Sequence, residues 1–235
     1  MCYHDFMKTK NFIISKFKRG FTLAEVLITL VIVGVIAALT IPTVINNTQK
    51  QECVAGLKKA YSLLSTATNA IIAEEGKPNC SYGGWNCSMT KVANLYKKHL
   101  AVAKDCGIGR NYDCFEQGRP KTYSGGYSTD NWSYWATAPY KIILNNGMQV
   151  VFGDADHDCV YGDWNNTGII NLCRLVIVDV NGAKAPNTFG KDVYLFAIKE
   201  DGFFPAGIDN DSRCPSYAGG MGCANRVLRE NAINY

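Results

Sequence analysis

The spacing of apolar and polar residues changes several times along this chain, and each change marks an element. From Phe21 to Val44 the sequence FTLAEVLITLVIVGVIAALTIPTV is apolar almost throughout and carries one charged residue, Glu25. This run reaches about 20 residues, enough for a helix to cross a hydrocarbon layer of roughly 30 Å. Beyond Pro42 the apolar positions recur every three or four residues, at Val54, Leu57, Tyr61, Leu64, Thr68 and Ile71, which is one face of an amphipathic helix. Gly76, Lys77 and Pro78 end the pattern. A single helix from Phe21 to about Glu75 is therefore predicted, ~80 Å long at 1.5 Å per residue. Its first half would face lipid or other apolar helices, and its second half would pack on a globular head.

Further along, Ser88 is placed as the N-cap of a second helix from about Met89 to Lys104, with Val92, Leu95, Tyr96, His99 and Leu100 on one face. The pattern then shortens to period two. Tyr140–Leu144 and Met148–Phe152 flank Asn145-Asn146-Gly147, a hairpin signal, and Leu172–Val180 and Val193–Lys199 are two further β-branched runs. The expected fold class is α+β: a long N-terminal helix, membrane-spanning and then amphipathic, packed on a small antiparallel sheet with disulfide-rich loops. No internal repeat and no second domain boundary stands out.

Charge refines this picture. The net charge is +4, but Lys8, Lys10, Lys16, Lys18 and Arg19 stand against Asp5 alone in the first twenty residues, and basic and acidic groups are equal in number in the rest. The basic excess thus belongs to targeting, and a general nucleic-acid surface is not implied. Basic residues before the apolar run and few after it place the N-terminus in the cytoplasm and the head outside. Ten cysteines with no C-x-x-C spacing favour disulfides in an oxidising compartment over metal sites. The expected bridges are sequential short loops: Cys80 with Cys87, Cys106 with Cys114, Cys159 with Cys173 and Cys214 with Cys223, leaving Cys53 over.

A secretory signal peptide would explain the basic flank and the apolar run. However, TIPTVINNTQK after the run offers no small-x-small cleavage site, and an ordinary signal has no use for a carboxylate at Glu25. A charge inside a bilayer costs at least ~2.5 kcal/mol, so an intramembrane acid points to a function with a partner. The sequence KRG-FTLAE around it resembles the processing site of type IV prepilins and type II secretion pseudopilins. The resemblance implies that a prepilin peptidase cuts between Gly20 and Phe21 and methylates Phe21. It further implies that Glu25, fifth after the cut, and Pro42, twenty-second after it, act in assembly. In a packed filament core, the Glu25 carboxylate of one subunit would neutralise the Phe21 ammonium of its neighbour.

On this reading residues 1–20 are a leader, 21–45 a transmembrane and filament-core helix, 46–75 its amphipathic continuation and 76–235 a periplasmic or extracellular head, the lollipop of the type IV pilins. Initiation at Met7 would shorten the leader. The implied partners are copies of the chain or related pilins, prepilin peptidase and an inner-membrane assembly platform. The implied location is the bacterial inner membrane and then a pilus or pseudopilus, and pilus against pseudopilus stays open. The alternative is a signal-anchored exported binding protein, for a carbohydrate or a surface ligand, that does not polymerise. Asp179–Gly207 also resembles the C-terminal sheet region of pseudopilin-like proteins.

Other chemistry is sparse. Asp154, Asp156 and Asp158 alternate as calcium loops require, but Cys159 replaces the following glycine and Asn165 the closing glutamate, so an exposed acidic turn competes with a calcium site. Asp179, Asn181 and Asp192 are a second set, with turn chemistry as the competing reading. The aromatics Tyr123, Tyr127, Trp132, Tyr134, Trp135 and Tyr140 would bind a sugar, a pilin or single-stranded DNA if exposed, or else pack over the sheet edge. His99 falls on an apolar helix face, His157 has no nucleophile motif near it, and no catalytic motif or cofactor fingerprint is present. A non-enzymatic role is expected.

Overall fold

The computed structural model describes residues 20–78, 88–109, 120–126, 139–155, 159, 162–163, 166–215 and 219–235. The chain divides into two units, Met1–Ile45 and Asn46–Tyr235. Helix α1, Leu23–Glu75, contributes its first part to one and its second part to the other. The first part is rich in valine and isoleucine, which are modest helix formers in water. In lipid the preference inverts, because a helix alone satisfies every backbone N–H and C=O within one segment. Gly76 ends α1: at φ +83° it turns left-handed, and its N–H donates to the Ile72 carbonyl at 3.0 Å.

The second unit holds a six-stranded antiparallel sheet whose strands follow sequence order: β1 Val102–Ile108, β2 Tyr140–Leu144, β3 Gln149–Ala155, β4 Arg174–Asp179, β5 Val193–Lys199 and β6 Gly202–Pro205. Strands β2 and β3 are joined at Asn145-Asn146-Gly147, where Gly147 takes φ +85° and Leu144 N–H bonds Met148 O. All six residues of β4 and the first six of β5 are buried, so these central strands are covered on both faces. Two further helices belong to this unit, α2 Met89–His99 and α3 Ala224–Glu230.

Of the predicted apolar face of α1, Val54, Leu57, Leu64, Thr68 and Ile71 are buried and Tyr61 is half-buried, with Ala60 and Ala67 buried beside them. Tyr61 stacks on Phe196 of β5 with ring centroids 6.3 Å apart, and Tyr96 of α2 packs on Phe152 of β3 at 4.9 Å. The buried hydroxyls of Thr68 and Tyr96 hydrogen-bond each other, tying α1 to α2. Gly56 lets α1 approach the end of β4 closely, since a Cβ there would lie 3.0 Å from the Val180 Cβ.

The α+β class with a long helix on an antiparallel sheet is as expected, but the end of α2 is corrected and three elements, β1, β6 and α3, were not predicted. Helix α2 stops at His99 instead of Lys104, because Leu100 is already extended (φ −119°, ψ 141°) and the next residues form β1. Strand β1 has two bulges against β2 and mostly exposed side chains, so it lacks the alternation that marks a strand. Strand β6 is only four residues long and follows β5 through the Glu200-Asp201 turn. The region beyond it, expected to be loop, contains α3.

Candidate processing and assembly site

Gly20 is exposed, and a Cβ built on it meets no atom of the described residues within 4 Å. Helix α1 begins three residues later, and its first turn is closed by a reciprocal cap. Glu25 N–H donates to Thr22 Oγ1 at 3.2 Å, while Thr22 N–H and Thr22 Oγ1–H both donate to Glu25 Oε2, at 2.8 and 2.9 Å. This is a capping box, which satisfies two backbone donors that a helix start otherwise leaves unpaired. Both Thr22 donors use Oε2, and Oε1 has no hydrogen-bond partner among the described residues. The T-L-A-E spacing signals this box in the sequence, although Thr22 was not singled out there.

From Phe21 to Ile45 the large apolar side chains are exposed, among them Leu27, Leu30, Val33, Ile36 and Leu39. Isolated exposed apolar residues need no explanation, but a continuous sleeve of them is untenable in water. Among the described residues α1 is the one helix long and apolar enough to cross a membrane. It runs through Pro42, whose missing N–H leaves the Ala38 carbonyl without its usual helical donor. Thr40 Oγ1 meanwhile donates to Ile36 O at 2.9 Å.

A family model of the prokaryotic N-terminal methylation motif matches residues 15–41, so this chain carries the prepilin-type cleavage and methylation motif. Together with the apolar first half of α1, the motif fits a membrane-anchored substrate of prepilin peptidase. Neither the curated proteins nor the solved structures yield a match to the chain.

The other sequence candidates fall in the second unit. Cys159 is bonded to Cys173 and Cys214 to Cys223, and Cys106 also takes part in a disulfide. Cys80, Cys87 and Cys114 lie outside the described residues. Cys53 is a buried free thiol, pushed up to about 12 by burial and, further, by the charges of Asp192, Asp179 and Glu52. Asp156 and Asp158, and the side chain of Asp154, also lie outside the description. Asp163 is engaged elsewhere, pairing with Arg213 at 3.2 Å and accepting from Gly168 N–H at 2.8 Å.

Tyr127, Trp132, Tyr134, Trp135 and His157 are outside the description too. Of the two described aromatics, Tyr140 donates to Asp105 Oδ2 at 2.9 Å and Tyr123 packs on Tyr235 at 5.3 Å. His99 faces Glu74 of α1 at 3.4 Å. Asp179 and Asp192 are both fully buried; burial, and then the charge of Asp192, pushes Asp179 up to about 8.

Proposed function

We propose that the chain is a structural subunit of a type IV pilus or type II secretion pseudopilus, built into the filament through α1. Residues 1–20 are a leader that prepilin peptidase removes by cutting between Gly20 and Phe21, and the same enzyme methylates the new amine of Phe21. Residues 21–45 hold the subunit in the inner membrane, with the N-terminus cytoplasmic and the head of residues 76–235 outside, and later form the filament core. Supporting this reading above all is an exposed apolar helix that begins three residues after Gly20 with a carboxylate, Glu25, in its first turn.

The assembly step follows from charge. Cleavage leaves an ammonium at Phe21, four residues before Glu25. In a water-poor core an unpaired charge is strongly unfavourable, so subunits gain by setting the Glu25 carboxylate of one against the ammonium of the next. The capping box leaves Oε1 for that contact while Oε2 holds the helix start. Pro42 frees a backbone carbonyl and allows α1 to adapt its path in the packed core. The partners are then other copies or related pilins, prepilin peptidase and the inner-membrane assembly platform, and the role is structural, not catalytic.

The test is Glu25→Ala. Membrane insertion should be retained or improved while assembled filament falls at least tenfold; an unchanged filament level would favour a signal-anchored binding protein instead.

A further inference from the structure

Contacts along the second part of α1 fix which end of the sheet is which. A Cβ on Gly56 would lie 3.0 Å from the Val180 Cβ, just past β4, and a Cβ on Gly202 of β6 would lie 3.8 Å from Asn69 Oδ1. Lys77 Nζ is 3.6 Å from Glu200. The β4–β5 loop, residues 180–192, is therefore at the Asn46 end of this unit, and the Glu200-Asp201 turn is at the Glu75 end.

Exposed charge separates along the same axis. Glu74, Glu75, Glu200 and Asp201 are exposed at the Glu75 end. At the Asn46 end Lys50, Lys121 and Lys184 are exposed and Lys191 is half-buried, and none of the four makes an ion pair among the described residues. Opposing them are Glu52, which is exposed, and Glu230, which Arg226 already holds at 2.9 Å; Asp179 and Asp192 are buried.

These groups form one patch. Lys121 N–H donates to Asn187 O of the loop at 2.9 Å, and Phe189 N–H returns to Lys121 O at 2.9 Å. Lys191 Nζ lies 5.3 Å over the Tyr123 ring, and Tyr123 packs on Tyr235, whose hydroxyl donates to Gly190 O at 2.6 Å. Lys50 Nζ donates to Ile233 O at 3.3 Å, two residues before Tyr235. Lys50 is also five residues past Ile45, where the run of exposed large apolar side chains ends, and even an extended chain would hold the two within about 18 Å.

We propose that this basic end of the Asn46–Tyr235 unit binds anionic phospholipid headgroups through Lys50, Lys121, Lys184 and Lys191, with Tyr123 and Tyr235 at the membrane–water boundary. The inference rests on the reading that residues 21–45 are held in that membrane. Lysines are drawn to an anionic surface within a Debye length, and tyrosine, with an apolar ring and a polar tip, favours the headgroup level. Tethering through α1 keeps the surface at high local concentration, so lysines too weak to capture a free vesicle suffice. The carboxylates at the Glu75 end are repelled by the same surface, so both charges orient the unit in one sense.

The experiment is hydrogen–deuterium exchange of the full chain in vesicles of phosphatidylcholine, and in vesicles with about a third phosphatidylglycerol. Wild type is compared with the triple variant Lys121→Gln, Lys184→Gln, Lys191→Gln. In wild type the amides of residues 183–187 should exchange at least threefold more slowly with phosphatidylglycerol, those of residues 200–202 should not change, and the effect should vanish in about 0.5 M salt. The triple variant should melt within a few degrees of wild type in phosphatidylcholine and show no lipid-dependent protection. Equal exchange in the two lipids overturns the proposal, as does full protection in the triple variant. Protection that follows the number of chains per vesicle instead of the lipid assigns the patch to a second copy and overturns it too. Retention of the chain after an alkaline wash checks the anchor separately. Loss from both vesicles overturns the membrane reading and this proposal with it, whereas retention without lipid-dependent protection overturns this proposal alone.

Discussion

The cap that Glu25 makes and the charge role proposed for it can be separated by substitution. Its carboxylate caps the first turn of α1 through Thr22, and in the proposed assembly it also supplies a charge. Glu25→Gln keeps an acceptor for the Thr22 donors and removes the charge, so α1 should still start at Leu23 while filament assembly falls as far as in Glu25→Ala. Assembly at the wild-type level in Glu25→Gln, measured by filament yield, would assign the residue to capping alone.

Gly20 offers a similarly clean test. A Cβ there meets no atom of the described residues within 4 Å, so Gly20→Val should leave the melting temperature unchanged and the leader uncleaved, read by mass. Cys53 reports on the interior: with its thiol pushed up to about 12 and buried, iodoacetamide at pH 8 should label it more than a hundredfold slower in the folded chain than in urea. Labelling at the rate of a free thiol would mean α1 does not pack there as described.

At the scale of elements, α1 and α2 were legible because their signals are local and repeated, whereas the seven-residue α3 was not. The spacing of Val54, Leu57, Leu64 and Ile71 names the buried face of α1, and Ser88 caps α2 with its Oγ accepting from Lys91 N–H. Strands β1 and β6 were not legible. In β1 the side chains of Ala103, Lys104 and Asp105 are all exposed, and its pairing comes from β2 rather than from its own pattern. In β6, Gly-Phe-Phe-Pro is too short to show a period, and its partner β5 holds it.

The same contrast separates Glu25, a lone charge in an apolar run, from Asp179 and Asp192, whose full burial at the ends of β4 and β5 no local spacing announces. Packing predicts that Leu64→Ala, at a fully buried position of α1, costs about 2–5 kcal/mol in chemical denaturation. A change below 0.5 kcal/mol would contradict the burial. Replacing Cys159 and Cys173 together by serine opens a loop with sequence separation 14 and should cost about 3 kcal/mol.

For the whole molecule the balance of surfaces decides the biology. Most of the described apolar side chains of the Asn46–Tyr235 unit are buried around a sheet. Phe21 to Ile45 leaves its apolar side chains exposed and must find lipid or other helices. A chain so divided, with the methylation motif over residues 15–41, fits a membrane-anchored substrate of prepilin peptidase. In the proposed processing the leader ends at Gly20. The most direct measurement is therefore mass analysis of the mature N-terminus of the membrane-purified protein, from cells with and without prepilin peptidase. The mechanism predicts a chain beginning at N-methylated Phe21 only when the peptidase is present. An intact leader in both, or a cut beyond Val44, would contradict it.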